Sequence, residues 1–91
     1  MPFRITRFEP TPNPNAMKCW LDRPISDGPC SFLNAAMAAE HPIAAALFER
    51  AGAVCVLLNG DWLTVNKPSE AEWRTVKAAV RRVLAEEEAT P

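Results

Sequence analysis

Positions 11–18 contain the proline-rich stretch TPNPNAMK, which determines how the first part of the chain folds. Pro12 and Pro14 hold φ near about −65°, and each disfavours helical geometry in the residue before it, so this stretch cannot be a helix. Asn13 and Asn15 hydrogen-bond readily to nearby backbone and tolerate turn conformations. We therefore expect a stiff connector between two strands.

The residues on both sides of this connector alternate between apolar and polar, as β-strands do. Residues 3–9 predict a first strand that places Ile5 and Arg7 on one face and Phe8 on the other. After the connector, a second strand would divide its side chains between one face with Met17, Cys19 and Leu21 and an opposite face with Lys18 and Trp20.

The middle of the chain predicts a loop followed by helical structure. Residues 24–31 contain an Asp-Gly-Pro turn signal, and residues 34–50 are rich in alanine, the best helix former. We expect a short helical turn and then a helix that begins at Pro42, where a missing N–H is tolerated, with His41 beside it as a cap or an exposed residue. Gly52 would end this helix.

A β-hairpin is predicted where Asn59-Gly60 separates two alternating apolar runs. With these two residues as a type I′ turn, Leu57 would lie opposite Trp62. One face of the hairpin would carry Val54, Val56, Leu63 and Val65, and the other face would carry Cys55, Leu57, Trp62 and Thr64.

The last helix is expected to begin with Ser69 as N-cap and Glu72 completing a capping box. A stripe of apolar residues at helical spacing then predicts a buried face, formed by Trp73, Val76, Val80, Val83 and Leu84. The three glutamates at residues 86–88 would fray the end of the helix, because its dipole favours cations there.

These elements predict a single α+β domain over residues 1–91, in the order β-β-α-β-β-α. Its four-stranded, mostly antiparallel sheet would be covered by two helices on one face and would leave the other face open. Apolar residues make up 48% of the chain and charged residues 23%, which is typical of a packed globular core.

Composition also excludes several classes of partner. A formal net charge of −1 provides no excess of cations for nucleic acid or an anionic membrane surface. No apolar run approaches the roughly 18 residues of a membrane-spanning helix, and the first residues lack the layout of a secretory signal. We therefore expect a cytoplasmic protein, either a monomer or a weak homodimer, whose partners are other proteins.

Few residues in the sequence are suited to catalysis or metal binding. Cys19, Cys30 and Cys55 lack the Cys-x-x-Cys spacing of metal and cluster sites, so we predict reduced thiols and no metal ligands. Cys19 and Cys55 would be packing residues within strands, and Cys30 would be exposed in a loop. A homodimer that pairs Cys19 or Cys30 across a two-fold axis remains a separate way to gather four thiolates. With His41 as the single histidine and no phosphate-binding loop, we expect no catalytic residues and no enzyme.

A binding surface is the favoured alternative. Trp20 and Trp62 are predicted to point away from the helices with Leu57 near them, and large aromatic side chains on an open sheet are typical of interfaces. Three cations would form a basic rim suited to an acidic peptide, namely Arg4, Lys18 and Lys67. The competing interpretation is that loops or the proline-rich connector cover both tryptophans.

Several separated motifs resemble the N-terminal domain of the Nfu-type (NifU-like) iron–sulfur scaffold proteins. They are the connector Thr11, Pro12, Asn13, Pro14 and Asn15, then His41-Pro42-Ile43-Ala44 with Leu47-Phe48, then Gly52, and finally the run at residues 61–67. The resemblance implies a small α+β domain associated with iron–sulfur cluster assembly. In the full-length scaffolds a Cys-x-x-Cys pair in a separate C-terminal domain holds the cluster, and this chain has no such pair.

Two functions are consistent with these observations. The resemblance implies a non-enzymatic accessory domain of cluster assembly that binds other assembly proteins. Weakly bound iron or an iron–sulfur cluster is implied only by the family resemblance. The residues themselves predict no cofactor. The alternative is a stand-alone module for protein or peptide binding with no direct role in iron–sulfur metabolism.

Overall fold

A computed structural model describes residues 3–86 as an α+β fold. The strands are Ile5–Pro10 (β1), Ala16–Leu21 (β2), Cys30–Phe32 (β3), Cys55–Asn59 (β4) and Trp62–Asn66 (β5). The helices are Ala35–Ala38 (α1), Pro42–Arg50 (α2) and Trp73–Glu86 (α3). The strands form one sheet in the order β1-β2-β5-β4-β3, and all four pairings are antiparallel.

The described residues contain five strands and three helices, so the prediction of four strands and two helices was wrong in number. The additional strand, β3, lies at the end of the stretch predicted as loop and pairs with β4. At three residues it is too short to show an alternating pattern, although Phe32 is buried opposite Val56. The additional helix, α1, is the predicted helical turn before His41, and Asn34 caps it.

The helices cover one face of the sheet, and the core lies between the two layers. Inward-facing side chains of the central strands are completely buried there, namely Val56, Leu58, Leu63 and Val65. They pack in one cluster with Leu47 of α2 and with Val80, Val83 and Leu84 of α3. Burial of this apolar surface is the main source of stability in a domain of this size.

Helix α2 begins and ends as the sequence predicts. Pro42 is its first residue, and the Nδ1 atom of His41 accepts a hydrogen bond from the Ala44 N–H at 3.1 Å. Gly52 follows the last turn with a φ of 71°, a left-handed conformation that glycine adopts without strain. The Ala53 N–H then donates to the Leu47 carbonyl at 3.2 Å, which closes the end of the helix.

The predicted hairpin forms, but its register was wrong. Gly60 and Asp61 are the two turn residues, so Leu57 lies opposite Thr64 instead of Trp62. Gly60 has a φ of 59° and Asp61 does not share the positive sign, which corresponds to a type II′ turn with glycine in the first central position. Each residue's partner has shifted by two positions, so the predicted faces are preserved. Val54 is the exception, since it precedes β4 and is 47% exposed.

Strand β1 contains an irregularity that reverses part of the predicted pattern. Its register with β2 shifts between Ile5 and Arg7, which is typical of a β-bulge. Beyond the shift, Phe8 lies opposite Cys19 on the helix-covered face and Arg7 lies opposite Trp20 on the open face. The predicted placement of Arg7 beside Ile5 was therefore wrong. Phe3 is buried just before the strand, and its N–H donates to the Leu84 carbonyl at 2.9 Å.

Helix α3 starts later than the capping box predicts. The Val76 N–H donates to the Glu72 carbonyl at 3.0 Å, so the first helical bond belongs to Glu72 and the Ser69 N-cap was wrong. Residues 68–71 form a separate turn, in which the Ala71 N–H donates to the Pro68 carbonyl. The predicted stripe is buried except for the half-buried Trp73. The fraying predicted for the last glutamates falls mainly on residues 87 and 88, outside the described residues.

Candidate functional site

The open face of the sheet is centred on two tryptophans. Trp20 of β2 and Trp62 of β5 lie directly opposite each other, because both strands follow the predicted alternation. The Lys18 Nζ atom is 4.3 Å from the centroid of each indole ring, so one ammonium group contacts both. Such cation–π contacts contribute roughly 0.5–1 kcal/mol each at exposed sites. All three side chains are half-buried.

Strand β1 holds the first of these rings in place. The indole Nε1–H of Trp20 donates to Oε1 of Glu9 at 3.1 Å, and the Arg7 guanidinium donates to the same oxygen at 3.1 Å. Arg7 also lies over the Trp20 ring, 5.3 Å from its centroid. The sequence pattern did not indicate Arg7 or Glu9 as part of this surface, because the bulge in β1 sets the register that places both on the open face.

The structure places two other predicted members of the patch, Leu57 and Arg4, at different distances from the tryptophans. Leu57 lies on the open face of β4, half-buried and one strand away from Trp62. Arg4 lies at the far end of β1, where it lines a depression together with Arg81 of α3. Of the three predicted rim cations, only Lys18 is beside the tryptophans.

Lys67 was wrongly placed on the rim, since it is only 7% exposed. Its Nζ donates to Oδ1 of Asn15 at 3.1 Å and lies 5.5 Å from the Trp73 ring centroid. Strand β5 ends at Asn66, and the next side chain points into the junction between the connector and α3. Lys67 therefore has a structural role in holding the connector.

The connector at residues 11–15 is fixed by its own polar groups and by α3. The Asn15 N–H donates to Oδ1 of Asn13 at 2.9 Å, and the Asn13 N–H donates to the Thr11 hydroxyl at 3.2 Å. The indole Nε1–H of Trp73 donates to the Pro14 carbonyl at 2.9 Å. These bonds anchor the start of β2, and with it the positions of Lys18 and Trp20.

The three cysteines do not fit an iron or iron–sulfur site within one chain. Cys19 and Cys30 lie in one row across the sheet, separated by Leu63 and Leu58. Three strand spacings of about 4.8 Å place them roughly 14 Å apart, and Cys55 is on the opposite face. Among residues 3–86 no group of three His, Cys, Asp or Glu side chains is arranged to hold a metal ion.

The pKa of Cys19 also argues against a role as an iron ligand, and the pKa of His41 is consistent with its role as a helix cap. Burial raises the pKa of Cys19 to about 12, although Lys77 and Arg81 oppose this shift, so the thiol stays protonated and is a poor ligand. Burial also lowers the pKa of His41, against a smaller opposing effect of its backbone hydrogen bond. The neutral imidazole that results is the form that can accept the Ala44 N–H.

The architecture defines a class of small α+β domains with helices on one face of an antiparallel sheet and an aromatic patch on the other. Within that class the chain belongs to the family described as scaffold protein Nfu/NifU N terminal, which matches residues 5–90. Between residues 3 and 86 no helix combines the length and the apolar character needed to cross a membrane.

Individual relatives support this assignment. A NifU-like protein of Schizosaccharomyces pombe is 35% identical over 83 residues, which are 88% of this chain but 32% of the relative. The chain thus spans about a third of that protein. The solution structure of a NifU-like protein from Saccharomyces cerevisiae shares the fold, with a TM-score of 0.77 at 20% identity over 93% of this chain and 77% of that one. The crystal structure of SAV1430 from Staphylococcus aureus has a TM-score of 0.72 at 22% identity, and the match covers 88% of this chain and 96% of SAV1430.

Proposed function

We propose that this chain is a non-enzymatic accessory domain of iron–sulfur cluster assembly that binds protein partners through its open sheet face. Membership of the Nfu/NifU N-terminal family supports the link to cluster assembly. The observation that carries the binding role is the pair of opposed tryptophans, Trp20 and Trp62, joined by one lysine.

Pre-organisation makes these rings suitable anchors. Tryptophan supplies a large apolar contact area and is enriched among the residues that dominate binding energy at interfaces. Glu9 and Lys18 fix both rings before a partner arrives, which lowers the entropy lost on binding. Leu57 extends the apolar surface toward β4.

The distribution of the thiols supports recruitment of a partner over storage of a cluster. Cys19 is buried and protonated, and it lies on a different face from Cys55. The proposed role therefore needs no ligand set in this chain. The cluster would be carried by a Cys-x-x-Cys domain elsewhere, and this domain would bring that carrier or its recipient into position.

Binding to a purified cluster-loaded Cys-x-x-Cys scaffold domain from the same organism tests this proposal. Replacing both tryptophans, Trp20→Ala with Trp62→Ala, is expected to weaken binding at least about tenfold, as expected for central aromatic anchors. Met37→Ala is the matched control, because Met37 is a 50% exposed apolar residue of α1, outside the sheet. Absence of binding to carriers and recipients alike, or equal loss in the control, would favour the alternative of a module unrelated to iron–sulfur proteins.

Anaerobic reconstitution with ferrous iron and sulfide tests the non-cluster role separately. The desalted protein is expected to be colourless and free of stoichiometric iron, because its three thiols do not converge. Iron that is retained with thiolate charge-transfer bands, and lost on Cys30→Ser or Cys55→Ser, would instead make the protein a cluster carrier. Cys19→Ser is the comparison for a buried thiol.

A further inference from the structure

A cluster of cations lies beside β1 on the helix side of the molecule, away from the tryptophans. The Lys77 Nζ atom is 5.0 Å and the Arg81 Cζ atom is 4.9 Å from the centroid of the same Phe8 ring. Both residues belong to α3 and are one helical turn apart, so they project in the same direction. Phe8 is on this side only because of the bulge in β1.

A depression with a volume of about 390 Å³ adjoins these cations. It is lined by Phe3, Arg4, Ile5, Asp22, Arg81 and Ala85. Asp22 contributes one carboxylate to this lining, and its Oδ1 accepts the Arg4 backbone N–H at 3.1 Å. Within residues 3–86, the side chains of Arg4, Lys77 and Arg81 form no ion pair with a carboxylate. Arg4 and Arg81 thus share the depression with one carboxylate, Asp22, and Lys77 lies beside Arg81 on the Phe8 ring, so cations outnumber anions here by three to one.

We propose that this basic cluster, Arg4 with Lys77 and Arg81, binds an acidic segment of a partner protein. The inference rests on the proposed function, because it assigns a chemistry to the partner that the domain recruits. Guanidinium groups bind carboxylates in a bidentate geometry, and their stems and the aromatic rings beneath them accept apolar side chains between the acids. Cations supplied by both β1 and α3 suit several carboxylates along one segment better than a single small anion.

The proposal also relocates the acidic partner that the sequence suggested. On the open face, Lys18 is engaged by two indole rings and Arg7 is paired with Glu9. Around the depression, Lys77 and Arg81 contact the Phe8 ring, and Arg4 is exposed with Asp22 as the one carboxylate in the lining. Charge complementarity therefore favours the helix side for a segment rich in Asp and Glu.

Fluorescence anisotropy with a short labelled peptide of Glu and Leu tests the inference on the whole chain. The control peptide has Gln in place of every Glu. The acidic peptide is expected to bind, to lose affinity as salt is raised because exposed charges are screened, and to bind more tightly than the control. Arg81→Gln is expected to weaken binding about two- to fivefold, and Lys77→Gln by a similar factor, as for exposed ion pairs.

Arg82→Gln is the matched control variant. Arg82 is also exposed on α3, and Arg82→Gln changes the net charge by the same amount as Arg81→Gln. Its position is rotated about 100° from that of Arg81 around the helix axis. Its effect is expected to be smaller than about 1.5-fold, given its separation from the cluster. Equal effects of both variants, equal binding of both peptides, or displacement by inorganic phosphate at the peptide's own concentration would each overturn the inference.

The two proposals fail in different ways. Trp20→Ala with Trp62→Ala is expected to leave binding of the acidic peptide unchanged, because the two sites lie on opposite sides of the sheet. Loss of the charge-dependent peptide binding while the tryptophans still control binding to the scaffold domain would remove only this inference. The reverse result would remove only the proposed role of the open face and would support the basic cluster.

Discussion

The two faces of the sheet are formed by the same strands but differ in nearly every physical property. On the covered face Leu63 and Val65 are fully buried and pack against the helices. On the open face the neighbouring Trp62 and Thr64 are half-buried and contact charged side chains or other strands. Because side chains alternate along a strand, one short segment serves both purposes at once.

This difference separates the residues that specify the fold from those available for function. The covered face is apolar throughout, so its side chains are constrained by packing. The two tryptophans of the open face are the largest side chains in the sheet, yet they remain partly in solvent, whereas Leu63 and Val65 are fully buried. Exposed aromatic rings that are held rigidly but buried incompletely are typical of surfaces that bind other molecules.

The largest expected effect comes from two substitutions at adjacent positions. Leu63→Ala removes a fully buried side chain and is expected to lower the free energy of unfolding by about 3 kcal/mol. Trp62→Ala is expected to cost about 2 kcal/mol, less than Leu63→Ala, because its ring remains partly in solvent in the native state. Urea denaturation of both variants measures the two losses in the free energy of unfolding. A larger loss for Trp62→Ala would mean that the open face is part of the core.

A second effect concerns Lys67, a charged side chain that is buried at the junction between the connector and α3. Lys67→Met preserves the volume of the side chain but removes the donor to Asn15 and the contact with Trp73. We expect a loss of about 2 kcal/mol, as for a hydrogen bond to a charged group. Lys18→Met on the open face is the matched control. Unchanged stability in Lys67→Met would show that the other bonds of the connector are sufficient to hold it.

The third effect depends on pH and concerns the buried thiol of Cys19. Cys19 has an ordinary pKa near 9.0 when unfolded and one of about 12 when folded, because burial disfavours the thiolate. Above pH 9 the unfolded chain loses this proton while the native chain keeps it, so stability falls as pH rises. Between about pH 8 and pH 10 this contribution is about 1 kcal/mol.

The control for this measurement is Cys55→Ala, which removes a thiol on the open face of the sheet. The pH-dependent loss should be absent from Cys19→Ala and retained in Cys55→Ala, whose thiol is half-exposed on the open face. Chemical denaturation at a series of pH values compares the three proteins, which differ in titrating groups only at Cys19 and Cys55. Identical slopes in wild type and Cys19→Ala would contradict the burial of this thiol.

The fourth effect lies at the N-terminus of α2, behind the covered face. His41→Ala removes the cap and is expected to cost about 1 kcal/mol at neutral pH, whereas His41→Asn retains an acceptor and should cost less. The folded pKa of His41 is lowered, so its contribution is present above pH 6.5 and is lost as pH falls below that value. Wild type should therefore lose more stability than His41→Asn between neutral and mildly acidic pH, as thermal melts can show.

How far the sequence predicts each face follows from the range of the interactions involved. Alternation predicts the burial of Leu63 and the exposure of Trp62, since it depends only on neighbours in the chain. It fails at β1, where the bulge exchanges the faces of Arg7 and Phe8. It also fails at β3, whose three residues are recognisable only through their pairing with β4.

The candidate sites show the same limit. Trp20 and Trp62 were predicted to share a face from local alternation, and they are opposite each other in the sheet. The basic cluster joins Arg4 to Arg81, which are far apart in sequence and meet because α3 packs beside β1. Lys67 stands two residues beyond Val65, so the alternation of β5 places it on the covered side, where its ammonium group contacts Asn15 and Trp73.

The last expected effect concerns Lys18, whose ammonium group contacts both indole rings. Lys18→Met removes the charge and is expected to lower the free energy of unfolding by about 1 kcal/mol, the sum of two solvent-exposed cation–π contacts of about 0.5 kcal/mol each. Tryptophan fluorescence should change in intensity or wavelength, since two of the three indoles lose an adjacent charge. Lys77→Met, which contacts Phe8 on the other side, is the control and should leave this emission unchanged.

A change in emission with little change in stability would show that Lys18 organises the open face without contributing to the core. It would also predict weaker partner binding, because rings that are free to move lose more entropy on association. Large destabilisation by Lys18→Met would instead erase the distinction between the two faces, since a residue of the open face would then be as important for folding as Lys67.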